Sequence, residues 1–307
     1  MISQISIKKT AVFTGHNAAI FGLAPAARPG YFLSAAGDGW LVEWSADAPE
    51  LGKLLAKVDV QLFSMCHLPE AQLIVAGNMN GGVHWVDLAD PSATRNVTHH
   101  QKGVFAARRL GDAVLTAGGD GVLTRWSVAA RRSTESLQLS GKSLRCFDYN
   151  PERQELAVGA SDGNIYLLSA ADFALIQVLQ DAHQPSVFSV CYSQDGRTLY
   201  SGGRDAHLKS WARNTGGWVL DQVAPAHHFT INDIAIHPGG QVLATASRDK
   251  TVKLWRASDL RLLKVIDTVR DQGHLNSVNR LMWLPERKML LSAGDDRSIL
   301  GWEVDLF

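Results

Sequence analysis

Cysteine is scarce in this chain: Cys66, Cys146 and Cys191 are all that 307 residues contain. An odd, widely spaced set offers no disulfide framework and no Cys-x-x-Cys pair, so each reads as a small buried apolar residue. Excess charge of one sign is also missing, because 30 basic residues are balanced by 30 acidic ones. That balance removes the bulk electrostatic argument for nucleic acid or an anionic membrane surface. No apolar run reaches the length of a membrane span, and the start from Met1 to Thr10 places its lysines after its apolar residues, unlike a secretory leader. With free thiols, the expected location is cytoplasmic. A Gly-x-Ser-x-Gly elbow, a phosphate loop, a His-Glu-x-x-His pair and a dinucleotide-binding glycine pattern are all absent from any supporting context. Gly118-Gly119-Asp120-Gly121 is a hairpin turn instead.

What the chain does have is a repeat. His16, Ser34, Asp38 and Trp44 return as His183, Ser201, Asp205 and Trp211, then as His227, Thr245, Asp249 and Trp255, and again as His274, Ser292, Asp296 and Trp302. In these four sets the His-to-Asp offset is 22 residues and the Asp-to-Trp offset is 6. His100, Thr116, Asp120 and Trp126 form a fifth set with one shorter turn. Two further units read Val58, Ala76, Asn80, Val86 and Ser140, Val158, Asp162, Leu168; where the His is missing, the hydroxyl and the Trp are missing too. Loss as a block implies mutual satisfaction in a buried site, since one unpaired buried polar group costs about 1–3 kcal/mol while removing all partners together is nearly neutral.

The seven final positions recur every 40 to 47 residues, the spacing of a four-stranded propeller blade. Each unit holds four β-rich runs between turn signals, with Asp-Gly or Asn-Gly at 38–39, 80–81, 120–121 and 162–163 suited to the positive φ of a tight hairpin. Gly15-His16, Gly273-His274 and the run from Asp249 through Val252-Lys253-Leu254 to Trp255 resemble the WD-repeat β-propeller family, and the resemblance covers essentially the whole chain. The namesake Trp-Asp pair is absent, for the tryptophans precede Ser45, Ser127, Ala212, Arg256 and Glu303; Val86-Asp87 alone keeps the acid.

The expected fold is therefore all-β: one domain over 1–307, a seven-bladed propeller of four-stranded antiparallel sheets. Its blades are expected near 15–56, 57–98, 99–140, 141–181, 182–225, 226–272 and 273–307. The last unit lacks a fourth run after its Trp, and the resemblance implies that residues 2–13 supply it and close the ring.

His, Ser and Asp in one unit superficially match a hydrolase triad. A set repeated five times with an indole as fourth member reads as a rigid core device, because a nucleophile must be exposed and activated. The pairs His99-His100 and His227-His228 lack Cys or carboxylate neighbours at metal-ligand spacing, so no metal or cofactor is expected. The expected activity is non-catalytic, a protein-interaction scaffold that by itself is a monomer.

The resemblance places peptide binding at the channel mouth on the face that carries the first-strand starts and the Asp turns. Two residues beyond the His position stand Lys102, Lys142 and Phe229; five beyond it stand Phe21, Phe63, Phe105, Arg145, Phe188, Asn232 and Asn279; just before the turn acid stand Arg204 and Arg248. Aromatic and guanidinium groups supply large contact area and forked donors. The expected partner is a protein or peptide segment, acidic or phosphorylated, with an apolar anchor. The alternative is a small-molecule-binding or hydrolytic propeller that uses the same mouth.

Overall fold

β-Branched and aromatic residues alternate with turn residues along the whole chain, and this pattern builds strands almost exclusively. The computed structural model describes residues 5–307. Among them the strands group into seven sheets, each of four antiparallel strands. Blade 1 runs outward as Ile20–Pro25, Tyr31–Ala36, Trp40–Ser45 and Ala48–Lys57. The inner strands of blades 2 to 7 are Leu62–Leu68, Val104–Leu110, Leu144–Asn150, Val187–Tyr192, Ile231–Ile236 and Val278–Leu284. Each inner strand packs beside those of both neighbours, and the ring closes between blades 7 and 1.

The outer strand of blade 7 is Ile5–Thr14, paired antiparallel with Ser298–Leu306. Of the expected closing segment 2–13, residues 2–4 lie outside the described residues. The strand fastens the ring through packing as well as pairing: Phe13 is fully buried, with its ring 4.9 Å from Phe32 and 5.9 Å from Trp44, both in blade 1. An edge that would otherwise lie open is thereby covered.

The core lies between blades. One apolar cluster joins Ala157, Leu167 and Leu179 of blade 4 to Val187, Leu199 and Trp211 of blade 5, and the other clusters repeat this two-blade sharing around the ring. Cys146 and Cys191 line the axial channel, whereas Cys66 points into the core with Trp85 and Trp126. Burial pushes the Cys66 and Cys146 thiols up to about 12 and Cys191 to about 11, so all three stay protonated. Among the described residues no helix is long and apolar enough to cross a membrane.

Candidate functional site

Each complete His set forms one connected network. In blade 1, His16 Nδ1 lies 3.0 Å from Asp38 and Nε2 lies 2.7 Å from Ser34 Oγ, which accepts the Trp44 indole N–H at 2.8 Å. The carboxylate requires Nδ1–H, so Nε2 accepts the hydroxyl proton and the hydroxyl oxygen accepts the indole. The same bonds join His100, Thr116, Asp120 and Trp126; His183, Ser201, Asp205 and Trp211; His227, Thr245, Asp249 and Trp255; and His274, Ser292, Asp296 and Trp302. The five hydroxyl residues are fully buried.

Burial lowers the pKa of His16, His100, His183 and His227, although the carboxylates oppose it. For Asp249, burial alone would raise the pKa. The hydrogen bond from His227 and the N–H of His228 outweigh it and hold the acid far below the usual carboxylate range. An attacking hydroxyl would need access to substrate, and these have an imidazole on one side and an indole on the other. Among the described residues no group of three His, Cys, Asp or Glu is placed to share a metal ion.

The two units without the set are rewired rather than emptied. In blade 2, Asn78 Nδ2 donates to His84 Nε2 at 2.9 Å, while Asn78 Oδ1 accepts the N–H groups of Asn80 and Gly82. In blade 4, Asp162 keeps a partner at the His position, Ser140, and accepts from Tyr166 as well. Sequence reasoning missed Asn78, His84 and Tyr166, because each occurs once and breaks no period.

The mouth of the channel is built by a defect repeated seven times. Every inner strand slips register by one residue against its neighbour, and the extra residues are Phe21, Phe63, Phe105, Arg145, Phe188, Asn232 and Asn279. A β-bulge re-aims a side chain that regular pleating would send elsewhere. These seven, with Arg280, line a cavity of about 350 Å³. Phe21 meets Phe63 edge-on with centroids 5.2 Å apart, and Phe63 stacks on Phe105 at 5.6 Å. The Arg145 guanidinium lies 4.3 Å from the Phe105 ring and 5.2 Å from that of Phe188. Its Nε donates to Ser161 Oγ at 2.9 Å.

The other expected contact residues stand apart from this cavity. Lys102, Lys142, Arg204 and Arg248 are exposed on the surrounding rim. Phe229 is 57% exposed, its carbonyl accepting the hydroxyl of Ser247 beside Arg248. Asn232 and Asn279 spend their amide hydrogens on the scaffold, on Ser277 and Val278 O for the first and on Ile20 O and Asp295 for the second.

Below the mouth lies a polar layer that sequence reasoning did not find. Arg280 crosses the axis, donating from Nε to Phe21 O at 2.7 Å and from Nη2 to Phe105 O at 3.3 Å. It lines both the mouth and a lower cavity of about 240 Å³, as Phe21 does, and its Nη1 lies 3.7 Å from Asp233. Asp233 accepts the Leu281 N–H at 2.9 Å, and Asp148 accepts Arg108 together with the Tyr192 N–H, tying neighbouring blades.

Comparison with known proteins fits this construction. The model described as "WD domain, G-beta repeat" matches residues 174–212, 219–256 and 264–303, each match ending just after the Trp of a complete set. The mouse cilia- and flagella-associated protein 52 is 24% identical over 73% of this chain, which covers 36% of that protein. Periodic tryptophan protein 2 of Arabidopsis thaliana is 26% identical over 54% of this chain, covering 18% of it. The chain thus spans 36% or less of the length of these curated relatives. The crystal structure of the WD40 β-propeller domain of Doa1 superposes with a TM-score of 0.83 at 18% identity, covering 97% of this chain and 96% of that one, a likeness of fold. Matched directly in three repeats, and built in the other blades on the same strand order and register, the chain is a WD-repeat β-propeller.

Proposed function

We propose that this propeller is a non-catalytic protein-interaction scaffold that receives a partner segment on the face carrying the channel mouth. One observation carries the reading: seven bulged residues from seven blades converge on a single cavity, four of them phenylalanines and one a half-buried arginine. Large aromatic surface beside a forked cation is the composition of interaction hot spots. The names of the relatives, which include a cilia- and flagella-associated protein and the HIRA protein of Dictyostelium discoideum, favour an interaction role over an enzymatic one. The His, hydroxyl and Asp sets that mimic a triad are committed to the core.

The rim adds Lys102, Lys142, Arg204 and Arg248 around the apolar mouth, a distribution that suits an acidic or phosphorylated segment with an apolar anchor. Replacing Arg145, Arg204 and Arg248 together by Ala tests this by affinity capture from the native host and mass spectrometry. Partners captured by the native chain are expected to be lost. An unchanged partner set rejects the upper face as the binding surface.

A further inference from the structure

Arg145 is held in place with its two terminal nitrogens unengaged. Phe105 and Phe188 flank its guanidinium, and Ser161 takes Nε. Among the described residues its two terminal nitrogens have no hydrogen-bond acceptor. Such a group is preorganised: the aromatic contacts and the Nε bond already restrict its rotamers, so little freedom is lost when an anion binds. The remaining donors form a planar fork, which matches a carboxylate lying in the same plane. A phosphate can take the same fork through two of its oxygens, so the rest of the cavity decides what brings the anion.

Three further features limit what brings the carboxylate. The apolar shelf of Phe21, Phe63 and Phe105 adjoins Arg145 around the mouth, so the cavity pairs an apolar surface with the fork. Arg280 lines the side of the cavity toward the lower one, its Nε and Nη2 on two carbonyls of other blades and its Nη1 3.7 Å from Asp233. The free acceptors are few: both asparagine amides are used on the scaffold, and Asn279 Oδ1 accepts the Ser277 hydroxyl, leaving Asn232 Oδ1. An apolar cavity whose lining side chains offer one unengaged acceptor suits a chain that stops there. The last residue of a polypeptide brings one N–H and carries side chain and carboxylate on one Cα, whereas a chain running across the mouth brings amides that the cavity does not satisfy.

We propose that the mouth cavity recognises the C-terminus of a partner protein, an apolar last residue on the phenylalanine shelf with its α-carboxylate on Arg145. This rests on the interaction reading above and sharpens it. The probe is a pool of random-sequence octapeptides retained on the immobilised chain, prepared once with free C-terminal acids and once as C-terminal amides. The free-acid pool is expected to be enriched for apolar last residues, and amidating a selected peptide to weaken binding at least about tenfold, the loss of a charge-assisted hydrogen-bond pair.

Arg145→Gln should erase the preference for acid over amide, and Arg145→Lys should restore it only in part, because the fork is gone. The amide comparison on the unaltered chain remains decisive if either variant folds poorly. Equal retention of acids and amides overturns the proposal. If the retained peptides instead depend on internal acidic residues or on added phosphoserine and are released by Arg204→Ala with Arg248→Ala, the C-terminal site is wrong while the interaction face stands. Retention of no peptide from either pool rejects the C-terminal site.

Discussion

At the scale of single residues, the five His sets are stability devices whose members depend on one another. His227 satisfies Thr245 at 2.7 Å and Asp249 at 2.9 Å, and Thr245 in turn holds the Trp255 indole at 2.9 Å. Removing the imidazole leaves a buried hydroxyl and a desolvated carboxylate with fewer partners, besides an unfilled volume. His227→Ala is therefore expected to destabilise by about 1–3 kcal/mol through the network. Val58→Ala, at the equivalent place in blade 2, carries no such polar penalty. Urea unfolding followed by tryptophan fluorescence measures both, and an unshifted midpoint for His227→Ala contradicts the interdependence. The rewired blades follow the rule in part: Asn78 bonds His84, and Ser140 and Tyr166 bond Asp162, while the buried Trp85 indole N–H of blade 2 has no partner among the described residues.

At the scale of strands and turns, the hairpin after each second strand joins a blade to the next. Gly39 has φ +76, and a Cβ built there would lie 1.9 Å from Val58 O in the segment leading to blade 2. Gly111 also has positive φ, at +57, but a Cβ there meets nothing within 4 Å. Gly39→Ala combines backbone strain with a backbone clash and is expected to cost well over about 1 kcal/mol, whereas Gly111→Ala bears the strain alone. Parallel thermal melts compare them, and equal losses would show that the close approach to Val58 is immaterial. These turns were legible as Asp-Gly and Asn-Gly pairs because a positive φ leaves a compositional mark. The bulge residues were legible for a different reason: a loop of constant length separates them from the His position, so Phe21 follows His16 as Asn279 follows His274. Arg280 escaped the same reading because it bonds carbonyls in blades 1 and 3. A long side chain bridging non-neighbouring repeats has no period. Asp148 and Asp233 were missed likewise: each takes a backbone N–H of the next blade, a group every sequence possesses, and Asp148 pairs besides with Arg108 of the preceding blade.

At the scale of the whole ring, the buried imidazoles of blades 1, 3, 5 and 6 make stability respond to pH collectively. His16, His100, His183 and His227 are held below their ordinary value of 6.5 chiefly by burial, while the unfolded chain titrates at that ordinary value. Between the two, the unfolded state binds protons that the folded ring refuses, so folding free energy is lost as pH falls. Their stabilising contribution is complete above about 7 and declines below about 6.5, with a slope of at most about 1.4 kcal/mol per pH unit for each such histidine. The paired carboxylates act in a lower window. Burial raises Asp120, Asp205, Asp249 and Asp296, but hydrogen bonds from imidazole and backbone prevail and hold each below 3.8. Their contribution is present above that value and lost as acid protonates them. Melting temperature at constant ionic strength should therefore fall in two stages, first from about pH 6.5 downward and again below about pH 4. Replacing His183 by Asn should flatten the first stage while lowering the plateau, because one refused proton disappears with its imidazole. A melting temperature unchanged from pH 7.5 to 5.5 would mean that the imidazoles take up protons as readily in the closed ring as in the open chain, which the hydroxyl donors facing Nε2 oppose.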